Sequence, residues 1–199
     1  PCSLIPGSIT ATQDALWFFL DCDGDGVQNA DELEDSTYYL DVCNYIATSI
    51  TMPQTSVWMN EDCDGDGVLN SAELIDGTNP QSGCEFLVSS QSVATSAAWN
   101  AWDCDLDGVT NSNETTDLTD INNPCSFVEA SITLTILTGY QNADCDGDGL
   151  TNTYEDTLTT DASNPDTDGD GVNDGAEVNQ GSDPLDPCDP APTQSYCIL

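Results

Sequence analysis

Acidic side chains recur in this sequence at a spacing that could hold a metal ion. The string DCDGDG occupies residues 21–26, 62–67 and 144–149, and related strings lie at 103–108 and 166–171. Each string places three aspartates at alternate positions. Because carboxylates this close repel one another, a cation is their natural counter-charge. The chain has no lysine, arginine or histidine that could supply that charge.

Five twelve-residue loops begin at these aspartates: loop 1 (21–32), loop 2 (62–73), loop 3 (103–114), loop 4 (144–155) and loop 5 (166–177). Aspartates stand at positions 1, 3 and 5, Asn or Asp at position 9, and Glu at position 12. Glycine at position 6 permits a sharp turn, and the apolar residue at position 7 offers its backbone carbonyl. Leu106 replaces a glycine at position 4 of loop 3, which we expect to be a permissive position. The predicted ligands are Asp21, Asp23, Asp25, Val27, Asn29 and Glu32; Asp62, Asp64, Asp66, Val68, Asn70 and Glu73; Asp103, Asp105, Asp107, Val109, Asn111 and Glu114; Asp144, Asp146, Asp148, Leu150, Asn152 and Glu155; and Asp166, Asp168, Asp170, Val172, Asp174 and Glu177.

This ligand set favours calcium. Ca²⁺ takes about six to eight oxygen ligands at roughly 2.3–2.6 Å, and some of them come from bidentate carboxylates. Magnesium retains its waters, and softer metals prefer histidine or thiolate ligands. A solvated acidic stretch would explain a single DxDGDG string, but it is a poor explanation for five complete loops. The sequence therefore predicts about five bound Ca²⁺ ions.

A repeat of 41 residues organises the chain, and it is seen when the cysteines at 2, 43, 84 and 125 are aligned. Between each of these cysteines and the next loop, apolar and hydroxyl residues alternate, as in Ser49-Ile50-Thr51-Met52. Such alternation is typical of a strand with one buried face, so each segment is predicted to be a β-hairpin. The predicted fold is mainly β, an elongated tandem-repeat rod in which short β-hairpins alternate with EF-hand-like calcium loops and single helical turns. Core packing is the simplest interpretation of an aromatic column at Trp17, Trp58, Trp99 and Tyr140.

The repeat also predicts the domain organisation. Residues 1–42, 43–83, 84–124 and 125–165 each hold one hairpin and one loop. Residues 166–199 hold loop 5 and a C-terminal tail.

The loops resemble thrombospondin type 3 repeats, whose DxDxDG loops wind a chain around calcium. The likeness is closest at 144–177, where DCDGDGLTNTYED leads into DTDGDGVNDGAE. The larger unit of loop, linker and strand segment is similar to tandem repeats in long cell-surface and secreted proteins of gliding bacteria. The resemblance implies calcium binding and an extracellular or cell-surface location, but it assigns no biochemical activity.

The ten cysteines are predicted to form disulfides in an oxidising compartment, because no Cys-x-x-Cys pair suggests a metal or redox site. One scheme pairs them within segments, as Cys2–Cys22, Cys43–Cys63, Cys84–Cys104, Cys125–Cys145 and Cys188–Cys197. The other bridges each loop to the next linker, as in Cys22–Cys43. Loop 5 favours the first scheme, because the strand segment before it and both cysteines of that segment are missing together.

The composition excludes several classes of function. A formal charge of −37 excludes the usual footprint of a nucleic-acid-binding protein, and no apolar run approaches a membrane span. We expect no nucleic-acid partner, no membrane insertion and no enzymatic activity, since histidine, lysine, arginine and known catalytic motifs are missing. The first hypothesis is an extracellular structural protein, a stalk or filament subunit that is stiffened by calcium and disulfides and self-associates into a filament or longer array. The second is an adhesin that recognises a surface glycan or protein, with Trp102, Phe18 and Phe19 as candidate contacts.

Hydroxyl-rich segments are also candidate sites of glycosylation. Asp35-Ser36-Thr37 and Asp156-Thr157-Leu158 resemble a bacterial acceptor pattern for O-linked sugars. Asn113-Glu114-Thr115 is an N-x-Thr site that overlaps a predicted calcium ligand. Ordinary solvated surfaces are the alternative.

Overall fold

The computed structural model describes residue 2, residues 17–136 and residues 138–189. Short helices separated by turns make up this part of the chain. Its α-helices are α1 (Asn29–Asp35), α2 (Ser56–Met59), α3 (Asn70–Asp76), α4 (Ala97–Asn100), α5 (Asn111–Asp117), α6 (Thr138–Asn142), α7 (Asn152–Leu158) and α8 (Asp174–Gln180). Single 3-10 turns lie at Trp17–Phe19, Ala47–Ser49, Val88–Ser90 and Glu129–Ser131. None of the helices in these ranges is long and apolar enough to cross a membrane.

The prediction of a mainly β fold is wrong, because the described residues contain no β-strand. Residues 50–55 instead have no regular secondary structure; the segment begins in an extended conformation at Ile50, with φ −65° and ψ 113°, and bends at Met52. The amides of Thr51 and Met52 both donate to the carbonyl of Gly26 in loop 1, at 3.0 and 2.9 Å. A lone loop carbonyl is not a neighbouring strand, so no ladder forms. The hairpin predicted between residues 3 and 16 lies outside the described residues.

We call this segment and its two counterparts straps: strap 1 (50–55), strap 2 (91–96) and strap 3 (132–136). The chain divides into two compact units, Pro1–Trp99 and Asn100–Leu199. In the first unit, strap 2 docks on loop 2 as strap 1 docks on loop 1, with the amides of Ser92 and Val93 donating to the Gly67 carbonyl at 2.8 and 3.1 Å. The predicted division into five units stays a prediction.

Strap 3 repeats the arrangement inside the second unit. The amides of Thr133 and Leu134 donate to the Gly108 carbonyl of loop 3, at 3.0 and 2.9 Å. In all three cases the acceptor is the glycine at loop position 6. Each strap is therefore attached to the acidic loop that precedes it in the chain.

Aromatic pairs form the small cores. Trp17, Trp58 and Trp99 are buried, which confirms the packing interpretation for these three members of the column, whereas Tyr140 is only partly buried. Trp58 meets Tyr45 edge-on with ring centroids 6.2 Å apart, and Trp99 meets Phe86 in the same way at 5.5 Å. Such edge-to-face pairs contribute roughly 0.5–1.5 kcal/mol beyond the burial of their area.

Disulfides lie within the segments. Cys2–Cys22, Cys43–Cys63 and Cys125–Cys145 are bonded, so the within-segment scheme is confirmed for these pairs and Cys22–Cys43 is excluded. The cysteines at 84, 104 and 188 are disulfide-bonded as well. The predicted Cys188–Cys197 bridge involves a residue outside the described ranges.

Candidate metal centres

Aspartates at positions 1, 3 and 5 converge in every loop. One carboxylate oxygen from each of the three lies within 4.8 Å of the others. The five clusters are Asp21, Asp23 and Asp25; Asp62, Asp64 and Asp66; Asp103, Asp105 and Asp107; Asp144, Asp146 and Asp148; and Asp166, Asp168 and Asp170. The structure thus brings together three predicted ligands in each loop.

Backbone amides of the loop hold these carboxylates in place, as loop 2 illustrates. The amides of Gly65 and Gly67 donate to Oδ1 and Oδ2 of Asp62, at 2.8 and 3.0 Å. The amide of Val68 donates to Oδ1 of Asp66 at 2.8 Å. The same three bonds recur in the other four loops. A short polar side chain that binds nearby amides favours a tight turn, which is why this sequence winds into a loop.

Other carboxylate oxygens are buried and accept no hydrogen bond from the described residues. Both oxygens of the position-12 glutamate are in this state at Glu32, Glu73, Glu114 and Glu177, as is Oε2 of Glu155. So are the Oδ2 atoms of Asp23, Asp25, Asp64, Asp66, Asp105, Asp107, Asp146 and Asp168. An ionised carboxylate buried without a partner costs several kcal/mol. Two unpaired oxygens on one glutamate are what a bidentate calcium ligand would present, so these residues fit the metal that the sequence predicts.

The pKa values of these carboxyls indicate a site that favours a positive charge. Burial, together with the charges of Asp64, Asp66 and Asp62, raises the pKa of Glu73 to about 8. Burial likewise raises the pKa of Asp66 to about 7, against the lowering effect of the hydrogen bond from the Val68 amide. The charges of all three aspartates in the cluster thus act on the Glu73 carboxyl in the same direction as its burial. A divalent cation there would oppose every one of these upward shifts.

Position 7 presents a backbone oxygen, as predicted for a ligand. Val27, Val68 and Val109 are fully buried. Within the described ranges, the carbonyl oxygens at this position accept no backbone hydrogen bond in any of the five loops. Their coordination of a metal stays a prediction.

In loops 2–5 position 9 is arranged differently from the other predicted ligands, whereas Asn29 Oδ1 of loop 1 is buried without a hydrogen bond, as the predicted ligand oxygens are. Asn70 Nδ2 donates to the carbonyl of Trp58 at 2.9 Å and to Sγ of Cys63 at 3.2 Å. Asn70 Oδ1 accepts the amide of Cys63 at 3.2 Å. These partners lie outside the aspartate cluster, and sequence reasoning missed them. The available signal was in loop 5, where the cysteine and the asparagine are both replaced, by Thr167 and Asp174.

Position 4 needs a left-handed backbone. It has φ 92° at Gly24 and φ 66° at Leu106. This conformation costs a residue with a side chain roughly 1–2 kcal/mol, so Leu106 stands at a strained position and not at a permissive one. A Cβ added to Gly139 would lie 3.0 Å from that of Leu106 and still closer to the carbonyl of Asp105. Glycine at 139 therefore leaves room for this part of loop 3.

Loop 4 lacks a strap among the described residues. Gly147 and Gly149 are exposed, whereas Gly65 and Gly67 of loop 2 are buried. No described atom lies within 4 Å of the place where a Cβ would stand on Gly147 or Gly149. The next element to contact loop 4 is loop 5 itself, through Gly175 of α8.

These features define a class, the tandem-repeat protein with acidic loops suited to calcium. Three stretches, residues 62–83, 144–165 and 166–187, match the family model of the bacterial TSP3 repeat, so the chain carries thrombospondin type 3 repeats, as the resemblance predicted. The matches begin at the first residues of loops 2, 4 and 5. The comparisons with curated proteins and with solved structures found no match.

The family and the sites together assign a general role. The chain is a calcium-binding structural repeat protein, since thrombospondin type 3 repeats bind calcium and are structural and not catalytic. Its disulfides and these repeats indicate an extracellular protein.

Proposed function

We propose that this protein is a cell-surface stalk or filament subunit in which about five Ca²⁺ ions, one in each loop, hold successive repeats together. The observation that carries the proposal is the buried position-12 glutamate, which leaves carboxylate oxygens without a hydrogen bond in every loop. A cation in each loop would neutralise the cluster and hold the loop closed.

The straps explain how a bound ion would stiffen more than its own loop. Strap 1 is attached to the Gly26 carbonyl, and Gly26 in turn donates its amide to the ligand Asp21 at 3.0 Å. Opening the loop would move that carbonyl away from the amides of Thr51 and Met52. Calcium in one repeat would therefore order the first half of the next repeat, which is the property that a stalk or filament requires.

Calcium titration of the full chain tests the metal sites. Isothermal calorimetry should count about five ions, with dissociation constants of roughly 10⁻⁴–10⁻³ M, and magnesium at the same concentrations should bind more weakly. Chelation should expose the buried Trp17, Trp58 and Trp99 and shift their fluorescence to the red. Binding of two ions or fewer, or tryptophan fluorescence that does not change on chelation, would contradict the proposal.

Self-association is the second part of the proposal, and the open edge of loop 4 supports it. Gly147 and Gly149 match the glycines that take a strap in loop 2, so a strap-like segment of a second copy could add there. Residues 8–14, SITATQD, have the strap pattern of SITMPQT at 49–55. Negative-stain microscopy and light scattering should show fibres in calcium and their loss on chelation. Isolated particles in both conditions would reject the filament.

An adhesin is the alternative, and exposed aromatic side chains favour it. Phe19 is 66% exposed and Trp102 is 44% exposed, whereas Trp17, Trp58 and Trp99 are buried. Aromatic rings that remain in solvent are a common means of contacting a sugar or protein surface. Binding to immobilised glycans or cell-surface proteins that is lost in Trp102→Ala or Phe19→Ala would support this function over the filament.

A further inference from the structure

We infer that the position-9 side chains, at Asn29, Asn70, Asn111, Asn152 and Asp174, are positioning residues that hold each loop in shape and are not calcium ligands. The inference rests on the proposed calcium function and reassigns one residue in each predicted ligand set. Its basis is the set of partners that these side chains contact. All five are 0 or 1% exposed.

In the disulfide-bearing loops, the asparagine connects three parts of the repeat. Its amide nitrogen donates to the carbonyl of the aromatic residue before the loop, at 2.8 Å for both Asn29 with Trp17 and Asn152 with Tyr140. The same nitrogen contacts Sγ of the loop cysteine, at 3.2 Å for Cys22 and 3.0 Å for Cys145. One side chain thus connects the first turn of the helix to the aromatic core and to the disulfide.

The chemistry of these partners selects an amide. A backbone carbonyl oxygen and a disulfide sulfur are both acceptors, so the side chain between them must donate. A carboxylate would set a negative charge against two acceptors in a fully buried place, which is unfavourable. Aspartate would be the better residue if position 9 faced the metal, because it adds charge. Four of the five loops nevertheless have asparagine.

Loop 5 provides an internal comparison. Its position 2 is Thr167 and not cysteine, and its position 9 is Asp174. The hydroxyl of Thr167 is a donor, and it donates to Asp174 Oδ2 at 2.6 Å while the Thr167 amide donates to Oδ1 at 2.9 Å. Both oxygens of Asp174 therefore bind protein donors. In loop 5 the position-2 side chain is therefore a donor instead of an acceptor, and the position-9 side chain is an acceptor instead of a donor. The hydrogen bond between positions 2 and 9 is preserved.

A backbone bond at the same place closes every loop. The position-9 amide donates to the carbonyl of the residue just before the loop, at 2.7 Å for Asn29 with Leu20, 2.8 Å for Asn70 with Glu61 and 3.0 Å for Asp174 with Pro165. Side chain and backbone at position 9 therefore bring the two ends of the loop together, while the aspartates and the final glutamate remain available to the ion.

If position 9 is a positioning residue, one substitution should lower the calcium affinity of loop 2; if position 9 is a ligand, the same substitution should raise it. Asn70→Asp should weaken calcium binding at loop 2 by about tenfold if position 9 is a positioning residue, because the carboxylate cannot donate to Trp58 and Cys63. It should tighten binding if position 9 is a ligand, because the charge of the site increases. Calcium titrations of the full chain by NMR would follow the Gly67 amide for loop 2 and the Gly171 amide for loop 5.

Three further variants complete the test. Asn79→Asp adds the same charge just beyond loop 2, where the side chain accepts the Gln81 amide at 3.1 Å, and should change affinity by less than about threefold. Asp66→Asn removes the charge of a predicted ligand and should weaken calcium binding at loop 2 under either assignment. Asp174→Asn should change the calcium affinity of loop 5 by less than about threefold, since asparagine Oδ1 can still accept a hydrogen bond from the Thr167 amide.

A rescue experiment excludes simple misfolding. In the background Cys43→Ser with Cys63→Thr, which recreates the threonine of loop 5, Asn70→Asp should restore calcium binding at loop 2 relative to the background alone. Tighter binding in Asn70→Asp, a loss of tenfold or more in Asp174→Asn, or no rescue would overturn the inference. If the unaltered chain shows no calcium response at Gly67 and Gly171, the proposed function fails instead.

Discussion

The backbone amide of Gly175 donates a hydrogen bond to Oδ2 of Asp148, 27 residues earlier, at 2.6 Å. This bond connects α8, where loop 5 ends, to a predicted ligand of loop 4. A Cβ on Gly175 would collide with the carbonyl oxygen of Asp148. The equivalent positions in loops 1–4 carry side chains: Ala30, Ser71, Ser112 and Thr153. Glycine occurs at this place in the loop whose helix packs directly on the loop before it.

Gly175→Ala should therefore impair two loops at once. The methyl group must displace the Asp148 carbonyl, so calcium binding should weaken by about tenfold in both loop 4 and loop 5. NMR titrations that follow the amides of Gly149 and Gly171 would measure the two effects separately. Ser71→Ala, which places alanine at the same position of loop 2, is the matched control and should leave binding unchanged. An unaffected Gly149 signal would show that the Gly175 contact does not couple the loops.

The metal-free protein should be most stable in mild acid. Burial and like charges raise the pKa of Glu73 from 4.5 to about 8 and that of Asp66 from 3.8 to about 7. A carboxyl whose pKa is raised on folding binds its proton more tightly in the folded state. The stability that it contributes is present below about pH 4 and is lost as the pH rises towards about 8. Urea unfolding in chelator between pH 5 and 9 should show the unfolding midpoint falling, and calcium should remove that fall. A midpoint that rises with pH in chelator would contradict the pKa assignment.

Glu73→Gln should release strap 2 as well as calcium. The amide cannot clamp the ion with two oxygens, so affinity at loop 2 should fall by roughly 100-fold, equivalent to about 3 kcal/mol. Since the amides of Ser92 and Val93 bind the Gly67 carbonyl, their hydrogen exchange should become faster in the variant. Glu85→Gln removes the same charge from an exposed position and should leave exchange unchanged. Protected amides in Glu73→Gln would mean that the strap does not depend on the ion.

Substitutions at the C-terminal ends of α5 and α3 should change the stability of the fold in opposite directions. Leu118 ends α5 with φ 61°, and Gly77 ends α3 with φ 77° at the equivalent place. Leu118 is 90% exposed, so Leu118→Gly loses little packing and should stabilise the fold by roughly 1 kcal/mol. Gly77→Leu should destabilise it by a similar amount, although no atom lies within 4 Å of a Cβ there. Thermal unfolding in excess calcium would measure both shifts, and shifts of equal sign would refute the backbone explanation.

The predictable part of the site is local. Asp62, Asp66 and Glu73 belong to one twelve-residue stretch, and their spacing alone indicates where an ion would bind. The Cys43–Cys63 bridge could be inferred because segment and cysteines disappear together before loop 5. The burial of Trp58 was predictable for a similar reason, since a large apolar ring at the same place of every repeat must be covered.

The predicted β-hairpins were wrong because the structure of such a segment depends on what its backbone hydrogen-bonds to. Alternation at 49–52 is typical of a strand, but Ser49 ends a 3-10 turn and Met52 lies at a bend. In the structure the amides of Thr51 and Met52 bind one carbonyl of the preceding loop instead of a neighbouring strand. The residue pattern alone does not distinguish these two partners. That contact also needs glycine at position 26, since its φ is 95° and a Cβ there would lie 2.8 Å from the Met52 carbonyl oxygen.

The sequence by itself therefore determined the position of each acidic loop and the kind of metal that it suits, and it favoured the disulfide pairs that the structure describes, because these depend on residue types at short, repeated spacings. The tertiary structure decided which side chains of each loop face the acidic cluster. Asn70 has oxygen and nitrogen atoms that suit a ligand or a connector equally well. Only the positions of the Trp58 carbonyl and the Cys63 sulfur, which are both acceptors, show which of its atoms are already bound.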